Sequence, residues 1–317
     1  MAQCKNLSVN KTALPYSRIG SQHAACAASR TKGNQMETQF KAMVVDEWTA
    51  NSTTAAWRKW HPKFAVQLAA MTAALVDAAG IKPGMRVLDI ASGTGEPAIT
   101  LSKLVGASGH VTATDLAADM LAISEDNARA AGCTNIDFRQ ADAHELPFPD
   151  RSFDAVTVRL GAMYFWDCTK ALAEIRRVLR QGGVAAFVCW GGLDTNRYVL
   201  SALGPFVKRR ELPPMPADVP QPLRFATKGS LSAELERAGF SAIAEESRVL
   251  PAPWPRPPEE LWQQFYDVAV PMQPYIDSFD AATREAARAE AIAEFRQCYD
   301  GTFTDVPIGV VVASGRR

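Results

Sequence analysis

Residues 87–97, Val87-Leu88-Asp89-Ile90-Ala91-Ser92-Gly93-Thr94-Gly95-Glu96-Pro97, read as an apolar strand, a glycine turn and the first residues of a helix. Such a turn lets a ligand approach the backbone, and the helix start behind it offers unpaired N–H groups. The same alternation continues on both sides. Met85–Ile90, His110–Thr114, Ile136–Arg139, Phe153–Val158 and Val184–Trp190 are short apolar runs. Helical patterns at Ala98–Val105, Ala117–Ala131 and Lys170–Arg180 separate them. Continuous apolar strands alternating with helices predict an α/β, doubly wound parallel sheet with helices on both faces.

Spacing alone leaves the ligand open. Gly93-x-Gly95-x-x-Ala98 fits a relaxed dinucleotide fingerprint, and Asp115 lies roughly 20 residues on, where a ribose-binding carboxylate belongs. Charge separates the alternatives. A dinucleotide sets its pyrophosphate at this helix start, where Asp89 and Glu96 would repel it. A sulfonium and an ammonium suit the same two carboxylates. S-adenosylmethionine carries both and still needs Asp115 for its ribose. An NAD(P)-dependent enzyme and a non-catalytic S-adenosylmethionine-binding protein are the rival readings.

Four ordered stretches carry a family resemblance: VLDIASGTG, the strand-end Asp115, QADAHELPFPDRSFDAV (140–156) and EIRRVLRQGG (174–183). Together they resemble a class I S-adenosylmethionine-dependent methyltransferase of the ubiquinone/menaquinone C-methyltransferase-like group (methyltransferase type 11), over about residues 40–192. The resemblance implies a Rossmann-like, seven-stranded, mostly parallel sheet with its last strand antiparallel, under an N-terminal helical lid and an inserted helical cap. It implies that Gly93 and Gly95 pass beneath the methionine part, with Asp89 helping to hold its ammonium, and that Ala91, Ser92 and Thr94 of the same loop also bind the cofactor. Asp115 would accept from both ribose hydroxyls, Leu116 and Met120 would pack on adenine, and Asp142 beside Ala143 would accept from the adenine amino group. Arg159 and Leu160 would border the methyl donor. S-adenosylhomocysteine would be the product. Ala91 stands where the family usually has Gly, so the loop is expected to bend slightly differently.

Methyl transfer of this kind needs positioning and exclusion of water, and no metal. Where the acceptor is a phenol, enol or activated carbon, a general base helps. Tyr164, His144 and His61 are the candidates. Trp57 and Trp60, at i and i+3 on one helix, with Tyr164 and Trp262, are candidates for the acceptor wall. So many aromatics favour a flat or greasy small molecule. Arg159-Leu160-Gly161-Ala162 is not the motif of enzymes that methylate planar nucleobase amines.

Composition narrows the partners. The 317 residues include 34 Lys+Arg and 34 Asp+Glu, which argues against a general grip on nucleic acid. No apolar run approaches the ~20 residues that span a bilayer, so no stable membrane insertion is expected. Six cysteines without a C-x-x-C pair and four scattered histidines predict neither a zinc site nor a disulfide framework. A cytoplasmic monomer or homodimer is expected. Residues 1–35, basic and without Asp or Glu, read as a disordered or leader tail. Were they a transit peptide, the location would be mitochondrial. Helical patterns across 36–80 form the lid, with breaks at Asn51-Ser52 and Pro62 and a stop at Gly80. Residues 81–192 form the cofactor-binding core. Residues 193–317 supply cap insertions and the last two strands, Ala242–Leu250 and Pro307–Ser314.

Overall fold

β1 (Arg86–Ile90) runs through the middle of a sheet because its side chains are apolar on both faces. Val87 packs with helix α4 (Ala98–Val105), whereas Leu88 and Ile90 join the core on the opposite side. β2 (His110–Asp115), helix α5 (Ala118–Ala130) and β3 (Ile136–Gln140) follow. Then come β4 (Phe153–Arg159), α6 (Cys168–Val178) and β5 (Leu179–Trp190). The computed structural model describes residues 29–212 and 219–317. Most of the stretch read as a tail, residues 1–28, lies outside the described residues.

Seven strands form the sheet in the order β3-β2-β1-β4-β5-β9-β6, with β6 at Ser241–Leu250 and β9 at Ile308–Arg316. β1 to β5 pair parallel, and β9 inserts antiparallel between β5 and β6. The strand order reverses between β1 and β4, which opens a crevice above their carboxyl ends.

Before the sheet stand α1 (Ser29–Thr49), α2 (Asn51–Gln67) and α3 (Ala69–Ala79). α1 begins inside the stretch read as a tail. The break expected at Asn51-Ser52 falls at Ala50, and the one expected at Pro62 is absent. Asn51 is the first residue of α2 and makes no cap, and Pro62 lies inside α2 without ending it. Proline removes only its own N–H, which leaves the carbonyl of Arg58 without a helical donor, and Arg58 is exposed to water. α3 does end at Gly80, in the left-handed conformation.

The C-terminal third adds α7 (Arg197–Val207), α8 (Ser230–Arg237) and the short ribbon of β7 (Pro253–Trp254) with β8 (Thr304–Asp305). α9 (Pro258–Val268), α10 (Gln273–Asp277) and α11 (Ala281–Arg296) complete it. Two large cores sandwich the sheet. α6 and α8 cover one face through Leu172, Ile175, Leu231 and Leu235. α2, α3, α7, α9 and α11 cover the other against Ala186, Val188, Val310 and Val312. The cap is therefore fused to the N-terminal lid through a shared core.

Candidate functional site

Where β1 gives out, the chain turns beneath the crevice. Ala91 adopts φ 57° and Gly93 φ 54°. The absent Cβ of Gly161, just past β4, would lie 2.6 Å from the Ala91 Cβ, so the two strand exits cross almost backbone to backbone. The alanine is thus accommodated in the left-handed conformation, not by a gentler bend.

Asp115 ends β2, and its carboxylate accepts from the Gly93 amide at 2.8 Å and the Ala117 amide at 3.0 Å. Burial raises its pKa against these bonds. Each oxygen keeps a lone pair for a further donor. Leu116, Met120, Ala143 and Leu160 line the same cavity, as do Ala91, Ser92, Gly93 and Thr94.

Two expected cofactor residues are not at its surface. Gly95 packs inward, where a Cβ would sit 3.0 Å from Ile99 Cδ1. Asp89 is fully buried; one oxygen accepts from Thr157 Oγ1 at 2.7 Å and the other has no partner. Burial lifts its pKa to about 7 against the Thr157 and Ser92 hydrogen bonds.

Arg159, at the end of β4, points into this region and lines the cavity. It donates to Thr72 Oγ1 at 2.8 Å and to the Glu96 carbonyl at 2.7 Å. Burial lowers its pKa, and Glu96 and Asp89 oppose that. It is a covered cation without a direct carboxylate partner among the described residues.

The structure places the three candidate bases in three different settings. His144 is buried, not free: its Nδ1 lies 2.6 Å from Asp142 Oδ1, and its Nε2 accepts from the Asp167 amide at 3.2 Å. Stacked on Trp166, it is a brace with both nitrogens committed. It also takes up Asp142, which accepts from the His144 amide as well and faces Lys41 at 3.3 Å. Burial would raise the Asp142 pKa, but the His144 bonds outweigh it and hold it at about 2. His61 does not line the cavity. Its Nδ1 meets Thr94 Oγ1 at 2.8 Å behind the loop, and burial followed by Arg159 lowers its pKa. Tyr164 does line the cavity, and burial and then Glu47 push its pKa far up, which favours the phenol over the phenolate.

Of the expected aromatic wall, Trp57 faces the cavity and stacks on Phe64 at 4.8 Å. Trp60 and Trp262 do not. Trp60 turns to the cap, donating from Nε1 to Asp267 Oδ2 at 2.9 Å, and Trp262 stacks on Tyr266 in the core. The wall is completed by Trp48, Trp190, Tyr198, Phe265, Met272 and Tyr275. The sequence pattern overlooked α7, α10 and their lining residues. Gly204-Pro205 breaks the helical sequence pattern, yet α7 runs through both residues, with Tyr198, Ala202 and Phe206 buried at helical spacing. The cavity measures about 710 Å³, ample for a small-molecule site.

The sheet is doubly wound in this strand order, and Glu96, Asp115 and Asp142 put acidic groups along the crevice above it. Residues 67–199 match the ubiE/COQ5 methyltransferase family. The ubiquinone/menaquinone biosynthesis C-methyltransferase UbiE of Psychromonas ingrahamii is 43% identical over 109 residues, covering 34% of this chain and 43% of its own. That of Hahella chejuensis is 45% identical over 109 residues, 34% and 44% of the two chains. The chain thus spans less than half the length of these curated relatives. The YcgJ protein of Bacillus subtilis shares the fold, with a TM-score of 0.50 and 20% identity over 78% of this chain and 97% of that one. Among the described residues, no helix is long and apolar enough to cross a membrane.

Proposed function

We propose that the protein transfers a methyl group from S-adenosylmethionine to a small, largely apolar acceptor. One observation carries the reading: the crevice above β1 and β2 opens into the aromatic chamber under the cap, in one cavity. The crevice chemistry fits the donor. Asp115 has lone pairs left for two ribose hydroxyls, Leu116 and Met120 supply an apolar seat for adenine, and Arg159 offers a guanidinium for the methionine carboxylate. Asp142, already engaged by His144, would take the adenine amino group on its remaining lone pairs. When bound, S-adenosylmethionine supplies a methyl group on a positively charged sulfur, leaving as a neutral thioether.

The chain's own contribution is positioning. Trp48, Trp57 and Phe64 from the lid and Phe265 and Tyr275 from the cap enclose the acceptor and exclude water. Tyr164 donates to an acceptor oxygen. The match to quinone C-methyltransferases ends at residue 199, before most of the cap, so it supports the donor side and leaves the acceptor to the cavity. In this reading 36–80 is the lid, 81–192 the donor core, and 193–317 the cap with the last strands.

The test is calorimetric binding of S-adenosylmethionine with Asp115→Ala alongside, followed by turnover with methyl-labelled donor on a panel of phenols, quinols and amines. The variant is expected to lose about 1.5–3 kcal/mol of donor affinity. Binding of NAD or NADP in place of the donor, or an unchanged dissociation constant, refutes the reading.

A further inference from the structure

Among the described residues, five charged side chains line the cavity. Glu96, Asp115, Asp142 and Arg159 belong to the crevice described above. The fifth, Arg210, stands just past α7, among the apolar residues Leu203, Leu212, Pro222 and Pro274. Nothing in the donor reading uses it.

Arg210 is tethered. Its Nη2 donates to Ser278 Oγ and, at 3.4 Å, to the Tyr275 carbonyl, while the Tyr275 hydroxyl donates back to the Arg210 carbonyl. The guanidinium carbon lies 4.2 Å from the centre of the Phe279 ring and 5.3 Å from that of Tyr275. Its neighbours have found counter-charges: Arg209 pairs with Glu290, and Arg284 with Asp277. Arg210 has no carboxylate within ion-pair distance among the described residues, and its Nη1 and Nε remain without partners there. A long cation already held in place, at the rim of an apolar chamber, has paid its ordering entropy before a ligand arrives.

We propose that Arg210 seats an anionic group of the methyl acceptor, so that the acceptor is an apolar molecule bearing a carboxylate, its body in the chamber and its acid at the cap rim. One guanidinium balances one negative charge, which suits a carboxylate better than a phosphate monoester with its charge of about −1.5 to −2. This rests on the methyl-transfer reading only for the word acceptor; the anion seat itself is a binding site.

The experiment titrates the full chain, saturated with S-adenosylhomocysteine, with two probes that differ by one acid: 6-hydroxy-2-naphthoate and 2-naphthol. The naphthoate is expected to bind about tenfold more tightly. Arg210→Met should abolish that preference and leave the 2-naphthol dissociation constant within about twofold, and Arg210→Lys should keep part of the preference. A clamp that merely ties α7 to α10 would instead lower the melting temperature without changing the preference. Equal binding of the probes to the unaltered protein, failure of both to bind, or a preference that survives Arg210→Met overturns the proposal. Titration of S-adenosylhomocysteine into the same preparations separates the two readings. Its binding without the naphthoate preference sinks the anion seat alone; the preference without its binding sinks the donor reading alone.

Discussion

Asp89 is fully buried near the end of β1, with one carboxylate oxygen unpartnered among the described residues. Burial raises its pKa to about 7, against the pull of Thr157 and Ser92. Folding therefore binds a proton here, and this group's contribution to stability falls as pH rises from its ordinary 3.8 through about 7. A donor carrying sulfonium and ammonium charge favours the ionised form, so below pH 7 its binding must release that proton. The affinity for S-adenosylmethionine is expected to weaken about tenfold between pH 8 and pH 6, and Asp89→Asn to flatten the profile. Calorimetry at the two pH values checks this; a flat profile in the unaltered protein contradicts it. The residue type and spacing of Asp89, Gly93 and Asp115 were legible because the backbone at a strand-end turn tolerates few alternatives. The fates of His144 and His61 were not. Whether a histidine is free or braced depends on Asp167 and Thr94, partners that sequence distance does not reveal.

Among the elements, α2 joins the lid to the cap. Asp267, near the end of α9, accepts from Lys59 Nζ at 2.9 Å, from the buried Trp60 Nε1 at 2.9 Å, and from Gln263 Nε2 at 2.6 Å. Lys63 reaches Glu260 on the same helix. Asp267→Ala strands the indole N–H and is expected to cost about 1–3 kcal/mol of stability in urea denaturation. Because α2 and α9 both wall the chamber, it should also raise the acceptor KM while leaving donor affinity within about twofold. Loss of donor affinity with an unchanged acceptor KM would mean that the latch serves the crevice instead. The strands were easy to read in advance because a parallel strand is apolar on both faces. The lid was harder: Trp57 and Trp60 share a helical face by spacing, yet the cavity and α9 meet that face side by side and take one indole each.

At the scale of the whole molecule, the sheet is shared but the ligand walls are divided. In the proposed reading, the turns after β1 and β2 and the stretch around Asp142 wall the donor's part of the cavity, and α7, α9 and α10 wall the acceptor's. The cap and lid pack against the sheet through one core, while α6 and α8 pack through another on the opposite face. A donor analogue contacts backbone that belongs to neither cap helix, so its effect should stay local. Hydrogen exchange with S-adenosylhomocysteine is therefore expected to slow exchange in 91–97, 115–120 and 141–144 and leave α10 unchanged. An acceptor-like acid added afterwards should extend protection to α10 and the segment around Arg210. Protection of α10 by the donor analogue alone would show that the cap closes when the crevice fills, and the separation of donor and acceptor walls would then fail.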